Sequence, residues 1–397
     1  MKTVPPTAFN RPIDVLFIFL RLGCVCFGGP VAHLGYFREE FVERRRWLSD
    51  AEYADLVALC QFLPGPASSQ VGYALGLRQA GFWGGAAAWL GFTLPSAALM
   101  IGFALGLSSL GSLESAGWVV GLKLVAVAVV AHALWGMAVK LCPDWQRQLM
   151  AAFTCGWLLT SYSVGGQVVV ILLGALVGRF WFRDSVGDPA PITQGKSPKS
   201  GLLWLALFFA GLIGLPLLAL GGGETIAIID GFYRAGSLVF GGGHVVLPLL
   251  DAFTVGRDWI TQDVFLAGYG AAQALPGPLF AFTAFLGSSV SIGPGGVGGG
   301  VLALVATYVP SLLLILGLMP YWDRLRAMPA AQAALLGANA IVVGLLAAAL
   351  VNPIGIHALT EPLRLVFAAI AFAALKFTKF PVWALVGVGA VVGQVVL

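Results

Sequence analysis

Charge is what this sequence has least of. Only 10% of its 397 residues are Asp, Glu, Lys or Arg, against 59% hydrophobic, and the mean hydropathy is +0.91. A soluble globular protein carries about 25% charged residues. No fold of this length hides so much apolar surface from water behind so few charges, so the solvent must be lipid. Histidine is equally scarce, at four, and the five cysteines (Cys24, Cys26, Cys60, Cys142 and Cys155) form no CxxC pair and have no histidine at zinc spacing. They read as small buried hydrophobes, and no metal site is expected. A Walker A loop, a dinucleotide fingerprint, HExxH and a nucleophile elbow are all missing. That argues against ATP hydrolysis within the chain and leaves no catalytic residue to nominate. Haem, iron–sulfur and flavin motifs are missing too, so no cofactor is expected and a membrane reductase is disfavoured. The net charge of +4, spread over a membrane protein, implies no nucleic-acid partner. No cleavable secretory leader is evident, because MKTVPPTAFNRPID is polar and no small-residue cleavage pattern follows it. Lys2 and Arg11 favour a cytoplasmic N-terminus.

What is present is apolar sequence in spanning lengths. A transmembrane helix needs about 20 apolar residues, and Phe82–Leu107, Trp118–Val139, Leu202–Leu220, Val297–Met319 and Ala331–Val351 supply them. The fold class expected is an all-α polytopic membrane protein, with about thirteen apolar segments of which about four are half the spanning length.

The second feature is repetition. FGGPVAHLGYFREEFVERRRWLSDAEYADLVALCQFLPGP begins at Phe27, and FGGGHVVLPLLDAFTVGRDWITQDVFLAGYGAAQALPGP begins at Phe240. Phe27 aligns with Phe240, Trp47 with Trp259, Gln61 with Gln273, Pro95-Ser96 with Pro310-Ser311, and Gly121 with Gly337. Such an internal duplication is a feature of secondary transporters. Residues 1–182 form the first repeat and 183–201 a polar cytoplasmic linker. Residues 202–222 form an extra transmembrane helix, and 223–397 the second repeat. An even number of crossings plus one extra segment inverts the second copy. Charge agrees: the Arg44–Arg46 loop is basic whereas its counterpart balances Arg257 with Asp258. The loop Ser108–Gly117 carries only Glu114, whereas Tyr321–Met328 carries Arg324 and Arg326 against Asp323.

The pieces flanking LPGP, Ala54–Leu63 and Ala67–Gln79, are each half a membrane long at 1.5 Å per residue. Proline removes a donor and clashes with the preceding turn. A broken helix survives at membrane depth only where protein buries it or it lines a watery cavity. The Gln61-Phe-Leu-Pro64-Gly65-Pro66 and Gln273-Ala-Leu-Pro276-Gly277-Pro278 segments therefore read as tips of re-entrant or discontinuous helices, as do Gly28-Gly29 and Gly241-Gly242. A helix restarting after such a break offers unpaired N–H groups and the positive end of its dipole to an anion. In the first copy Ser68, Ser69 and Gln70 add donors, and Gln61 and Gln273 carry amides near the prolines. Two such termini would cradle a small oxyanion at the midplane. A Pro-Gly kink also serves simply to bend a helix.

Other polar residues stand out against the apolar background. Lys123, matched by Asn339, either neutralises substrate or snorkels to the interface. His244 and His33 are candidates for substrate contact or proton exchange, or for satisfied packing; His132 reads as structural. If protons drive transport, the coupling acid belongs among Glu39, Glu40, Glu52, Asp55, Asp230, Asp251, Asp258 and Asp263, most of which read as solvated interfacial charges.

FGGP, RRRWLS and QFLPGPASSQ followed by GFTLPS resemble the first domain of the chromate transporter family. FGGGHVVLPLL, DWIT, QALPGPLF and PS resemble the second domain of its two-domain, long-chain members. The resemblance covers nearly the whole chain in motif order. It implies a bacterial inner-membrane secondary transporter, with two homologous domains of opposite orientation, that exports chromate and confers resistance to it. The family motifs fall at Phe27–Pro30, Gln61–Pro66 with Ser68 and Ser69, Phe240–His244 and Gln273–Pro278. The second copy lacks the two serines. The expected function is proton-motive-force-driven, antiport-type efflux of chromate. The alternatives are a carrier of sulfate or another oxyanion, and a passive anion channel. The expected partners are the oxyanion, the bilayer and protons as coupling ion, with a homodimer left open.

Overall fold

The computed structural model describes residues 11–109, 116–161, 164–183, 200–240 and 242–396. The 184–199 part of the linker, the 110–115 loop with Glu114, and Gly241 lie outside the described residues. Among the described residues there are helices and no strands. Among these residues five helices are long and apolar enough to cross a membrane, and each covers all or nearly all of one of the five apolar runs named above. The solvent-exposed positions include Leu172, Phe180, Leu217, Ile370 and Val391, as expected of a surface that faces lipid.

The first repeat opens with α1 (Pro12–Val25) and α2 (Gly29–Arg38), the latter continuing as a π-helical turn over Glu39–Arg44. Phe19 of α1 packs edge-on to Phe37 with centroids 5.7 Å apart and stacks on Phe41 at 5.0 Å. The two segments therefore lie side by side as a hairpin whose tip is Phe27-Gly28-Gly29-Pro30. Gly28 has φ +99° and Gly29 φ +76°, two consecutive left-handed residues that only a glycine pair adopts without strain.

The second hairpin joins α3 (Asp50–Phe62) to the first arm of α4 (Ala67–Ser109). The repeated Trp-Leu/Ile-Ser/Thr motif is the start of this hairpin in each copy. Ser49 accepts a hydrogen bond from the Glu52 N–H at 3.3 Å, and the Glu52 carboxylate accepts one from the Ser49 N–H at 2.9 Å. This reciprocal pairing satisfies two donors that a helix start leaves unpaired. Helix α4 breaks at Ala80 and Gly81, so residues 67–79 and 82–109 are separate arms. Arg78 at the end of the first arm donates to Glu52 at the start of α3 over 2.8 Å. Both ends of the hairpin therefore lie on one face, so the LPGP break is a re-entrant tip.

After α4 come α5 (Gly117–Leu141), α6 (Trp145–Thr160), α7 (Val164–Trp181) and the extra helix α8 (Ser200–Ala219). The second repeat repeats the plan. A third hairpin pairs α9 (Glu224–Ser237) with α10 (Val246–Thr254), where the Arg234 guanidinium sits 4.7 Å from the Phe253 ring centroid. A fourth joins α11 (Gln262–Ala272), capped by Thr261, to α12 (Phe282–Ser289). The Ser291 N–H just past α12 bonds the Trp259 carbonyl just before α11 at 2.9 Å, so this hairpin too is re-entrant. Then follow α13 (Gly296–Leu318), the short α14 (Trp322–Arg326), α15 (Pro329–Ala349), the single turn α16 (Ile356–Ala358), α17 (Pro362–Phe377) and α18 (Val382–Val396).

Inversion is visible in where the long helices end. The 82–109 arm of α4 starts beside the opening of the second hairpin. Its far end, at Ile101 and Leu105, meets Gly300 and Gly296 at the start of α13, beside the opening of the fourth hairpin. Conversely, α13 runs back to α14, whose Trp322 and Arg326 bond Asp55 at the base of α3 at 2.9 and 2.7 Å. Hairpins of the two repeats therefore enter from opposite faces. The same contact brings the basic loops of both repeats, Arg44–Arg46 and Arg324–Arg326, to one face. Arg44 and Arg45 are held there by Glu40 at 2.7 Å each.

The repeats are also intertwined. Helix α5 packs against α17 and α18 of the other repeat, and α15 against α6 and α7. Glycines make both crossings. A Cβ on Gly121 would lie 1.9 Å from the Gly389 carbonyl oxygen, and one on Gly337 2.1 Å from that of Gly174. Without a hydrophobic force between helices in lipid, such backbone-to-backbone contact is what holds them.

Candidate functional site

The four hairpin tips converge. The Gly65 N–H donates to the Val239 carbonyl at 2.7 Å, and the Gly277 N–H donates to the Cys26 carbonyl at 2.8 Å. Each LPGP tip is thus tied to the FGG tip of the opposite repeat. A Cβ on Gly243 would touch Pro30 and Leu279, each at 3.5 Å, which closes the ring of four. The Pro-Ser pairs complete the cradle. Gly65 lies against Ser311, and Gly277 against Ser96. The Ser96 hydroxyl donates to the Thr93 carbonyl at 3.1 Å and the Ser311 hydroxyl to the Tyr308 carbonyl at 2.9 Å. The sequence alignment matched these serines without giving them this role.

The candidate residues divide on placement. Gly28, Gly29, Pro64, Gly65, Pro66, Gly242, Pro276, Gly277 and Pro278 form the tips, and Gly241 lies outside the described residues. The glycine N–H groups of the two LPGP tips are engaged in the crossed bonds and are not free donors for a ligand. Ser68 and Ser69 are both buried in the first turn of α4. The Ser68 hydroxyl lies 3.4 Å from His33 Nδ1, which ties α4 to α2. Gln61 is exposed at the end of α3. The amide that braces the tip is that of Gln70, whose Nε2 donates to the Pro64 carbonyl at 2.8 Å. Gln273 keeps its Nε2 buried with no partner among the described residues. His244 Nδ1 meets the Tyr269 hydroxyl at 2.5 Å, joining the third hairpin to the fourth. The Asn339 carbonyl oxygen is buried on α15 with no hydrogen-bond partner among the described residues.

Lys123 stands apart from the tips. Its Nζ pairs with Asp263 at 2.9 Å; the lysine side chain is 6% exposed and the carboxylate 38%. Asp263 lies in the first turn of α11, about 15 Å of helix from the tip at 1.5 Å per residue. The lysine is therefore bound to the base of the fourth hairpin. The Lys123→Met variant is expected to leave substrate KM unchanged and to lower stability by about 1–3 kcal/mol. That range is discounted from the cost of breaking a fully buried pair because Asp263 is partly solvated. Adding Asp263→Asn restores most of the loss. Thermal unfolding in detergent and uptake kinetics check this; a raised KM with unaltered unfolding would return Lys123 to the substrate site.

A cavity of about 210 Å³ opens at the base of the second hairpin, lined by Glu52, Asp55, Leu59, Arg78, Met319 and Trp322 among others. It lies between the first repeat's hairpin and the second repeat's α13–α14 corner. The Ser49 N–H and the Arg78 guanidinium hold the Glu52 carboxyl below its ordinary range. Its depressed pKa adds stability above the unfolded carboxyl value, and that stability is lost as pH falls through the folded value.

The decisive comparison is with known families. Residues 13–179 and 226–394 match the family described as Chromate transporter. The chain belongs to this family. It is similar to the chromate transport protein of Pseudomonas aeruginosa, at 28% identity over 90% of this chain and 85% of that one. It resembles the probable chromate transport protein of Synechococcus elongatus, also at 28%, over 84% and 82%. The uncharacterized transporter YwrB of Bacillus subtilis is 26% identical, with 98% of its length covered by 47% of this chain. No solved structure matches the chain. Membership of the chromate transporter family makes this multi-pass membrane protein a transporter and not an enzyme.

Proposed function

We propose that this chromate transporter homologue is a secondary active exporter of chromate, driven by the proton motive force, that confers chromate resistance from the inner membrane of a bacterium. The observation that carries the reading is the family match over both repeats, with relatives named as chromate transport proteins. The architecture supports it. Substrate sites between inverted repeats are built from discontinuous helices near the midplane, with alternating access arising as one repeat moves against the other. Here the break points of four half-membrane hairpins meet, and each crossed N–H bond joins one repeat to the other. The face that gathers Arg44–Arg46, Arg324 and Arg326 is the cytoplasmic one by the positive-inside rule, so the 210 Å³ cavity is the cytoplasmic vestibule.

The test is chromate uptake into inverted membrane vesicles with an imposed proton gradient, with and without excess sulfate. Saturable uptake that collapses with the gradient is the expected result, and sulfate resistance marks chromate selectivity. Uptake indifferent to the gradient and without saturation would make the protein a passive channel. Strong competition by sulfate would make it a general oxyanion carrier.

A further inference from the structure

Four polar groups gather close to the two LPGP tips: Tyr308 lies one turn before Ser311, which meets Gly65, and Thr93 one turn before Ser96, which meets Gly277. Ser69 is in the first turn of α4, Trp89 and Thr93 are in the second arm of α4, and Tyr308 is on α13 of the opposite repeat. Ser69, Thr93 and Tyr308 are each at most 1% exposed. The Tyr308 hydroxyl interacts with those of Ser69 and Thr93, and its ring packs on Trp89 with centroids 5.5 Å apart. Yet the three hydroxyls and the Trp89 indole N–H are all buried without completing an ordinary hydrogen bond among the described residues. Buried polar groups are nearly always paired, and leaving one unpaired has a cost. Three hydroxyls that touch only one another and an indole N–H with no partner among the described residues, none of them charged, make the pattern of a site whose partner is a ligand.

We propose that Ser69, Thr93, Tyr308 and Trp89 are the specificity-determining donors for a fully deprotonated tetrahedral oxyanion, and that they discriminate against hydrogen phosphate. This inference rests on the oxyanion-transport reading above. Every oxygen of sulfate or of the chromate dianion accepts, whereas hydrogen phosphate carries an O–H that needs an acceptor. An indole N–H cannot accept, no carboxylate belongs to the cluster, and a Ser, Thr or Tyr hydroxyl that accepts the phosphate proton gives up its own donation to the anion. The unpaired N–H groups of the first turn of α4 add donors and a favourable dipole at the same point. The cluster is closed in this state. Its members sit on opposite repeats, so movement of α13 away from α4 opens it, and the arriving anion replaces the contacts between hydroxyls. Sequence equivalence makes the site single: Thr93 and Tyr308 are counterparts, but Ser69 corresponds to Ala281 and Ser68 to Phe280.

The experiment uses the full-length protein in proteoliposomes and in detergent, comparing wild type with Tyr308→Phe and Ser69→Ala. Removing a donor to a charged ligand is expected to raise the chromate KM roughly ten- to hundredfold. The melting temperature of each ligand-free variant stays level, since the hydroxyls touch one another without completing an ordinary hydrogen bond. Chromate raises the melting temperature of the wild type and not that of Tyr308→Phe, and phosphate at pH 7 neither stabilises the protein nor competes. Unchanged KM in both variants overturns the assignment. A clear fall in ligand-free melting temperature does so too, because it makes the hydroxyl structural. Phosphate that competes with chromate for uptake removes the discrimination. Loss of saturable oxyanion flux in the wild type itself would instead bring down the transport reading, and this site with it.

Discussion

Replacing Gly65 by leucine abolishes transport while the protein still inserts in the membrane. Two effects add at this position. The backbone has φ +121°, where a side chain costs about 1–2 kcal/mol. A Cβ there would lie 2.6 Å from the Ser311 Cβ and 2.9 Å from the Gln70 amide, so the tip must withdraw from α13. Withdrawal breaks the bond from the Gly65 N–H to Val239 and leaves a buried carbonyl unpaired, at about 1–3 kcal/mol. Together these are on the order of 2–5 kcal/mol, which at about 1.4 kcal/mol per tenfold is a loss of roughly thirtyfold or more in the population with closed tips. Gly277→Leu is expected to behave alike, since it too is left-handed at φ +90° and meets Ser96 Oγ at 2.9 Å. The control is Gly81→Ala. Gly81 is left-handed as well, at φ +65°, but nothing lies within 4 Å of its Cβ position, so backbone strain is its whole penalty. Flux in vesicles, normalised to inserted protein, separates the cases. Full activity in Gly65→Leu and Gly277→Leu would remove the tips from the transport path.

Much of this was legible in the sequence because the signals are local. Proline and glycine break helices wherever they sit, so QFLPGP and FGGP announced interruptions, and their repetition announced the duplication. Serine and threonine at the helix starts of Trp47-Leu-Ser49 and Trp259-Ile-Thr261 are equally local, though their meaning as caps emerged only with the structure. Partnership was not legible. Nothing in the order of residues says that the first LPGP tip bonds the second repeat's FGG tip, because that contact depends on how two inverted halves interlock. The same blindness affected Gln61 and Lys123. Gln61 ends exposed at the end of α3, which the residues flanking the prolines do not reveal. Lys123 looked like an isolated charge because its counterion, Asp263, is 140 residues away. Tyr308 was invisible for the opposite reason: in an apolar helix a tyrosine reads as core until the hydroxyl's neighbours are known.

The second large effect concerns the crossings that hold the repeats together. Gly121→Leu is expected to deplete folded protein, because the new Cβ would fall 1.9 Å from the Gly389 carbonyl oxygen, and Gly117 meets Gly393 in the same way one turn earlier. The atoms in conflict are backbone, so no rotamer relieves the clash, and α5 must part from α18. Overpacking typically costs 1–3 kcal/mol when side chains can shift; here they cannot, so a loss of about 3 kcal/mol or more is expected. Gly337→Leu strikes the equivalent crossing of α15 with α7 and should match it. Gly136→Leu, exposed on the same α5 with nothing within 4 Å, should stay within about 0.5 kcal/mol of wild type. Melting in detergent measures all three. Equal behaviour of Gly121→Leu and Gly136→Leu would refute the crossing. If the order holds, a mechanical consequence follows. The swapped helices are locked by backbone contacts, and hairpin helices too meet long helices backbone to backbone, as at Gly236 against Thr307 and Gly270 against Leu122, whereas the tips are tied to one another by two crossed hydrogen bonds. Motion is then cheapest at the tips, and the intertwined helices form the frame against which they move.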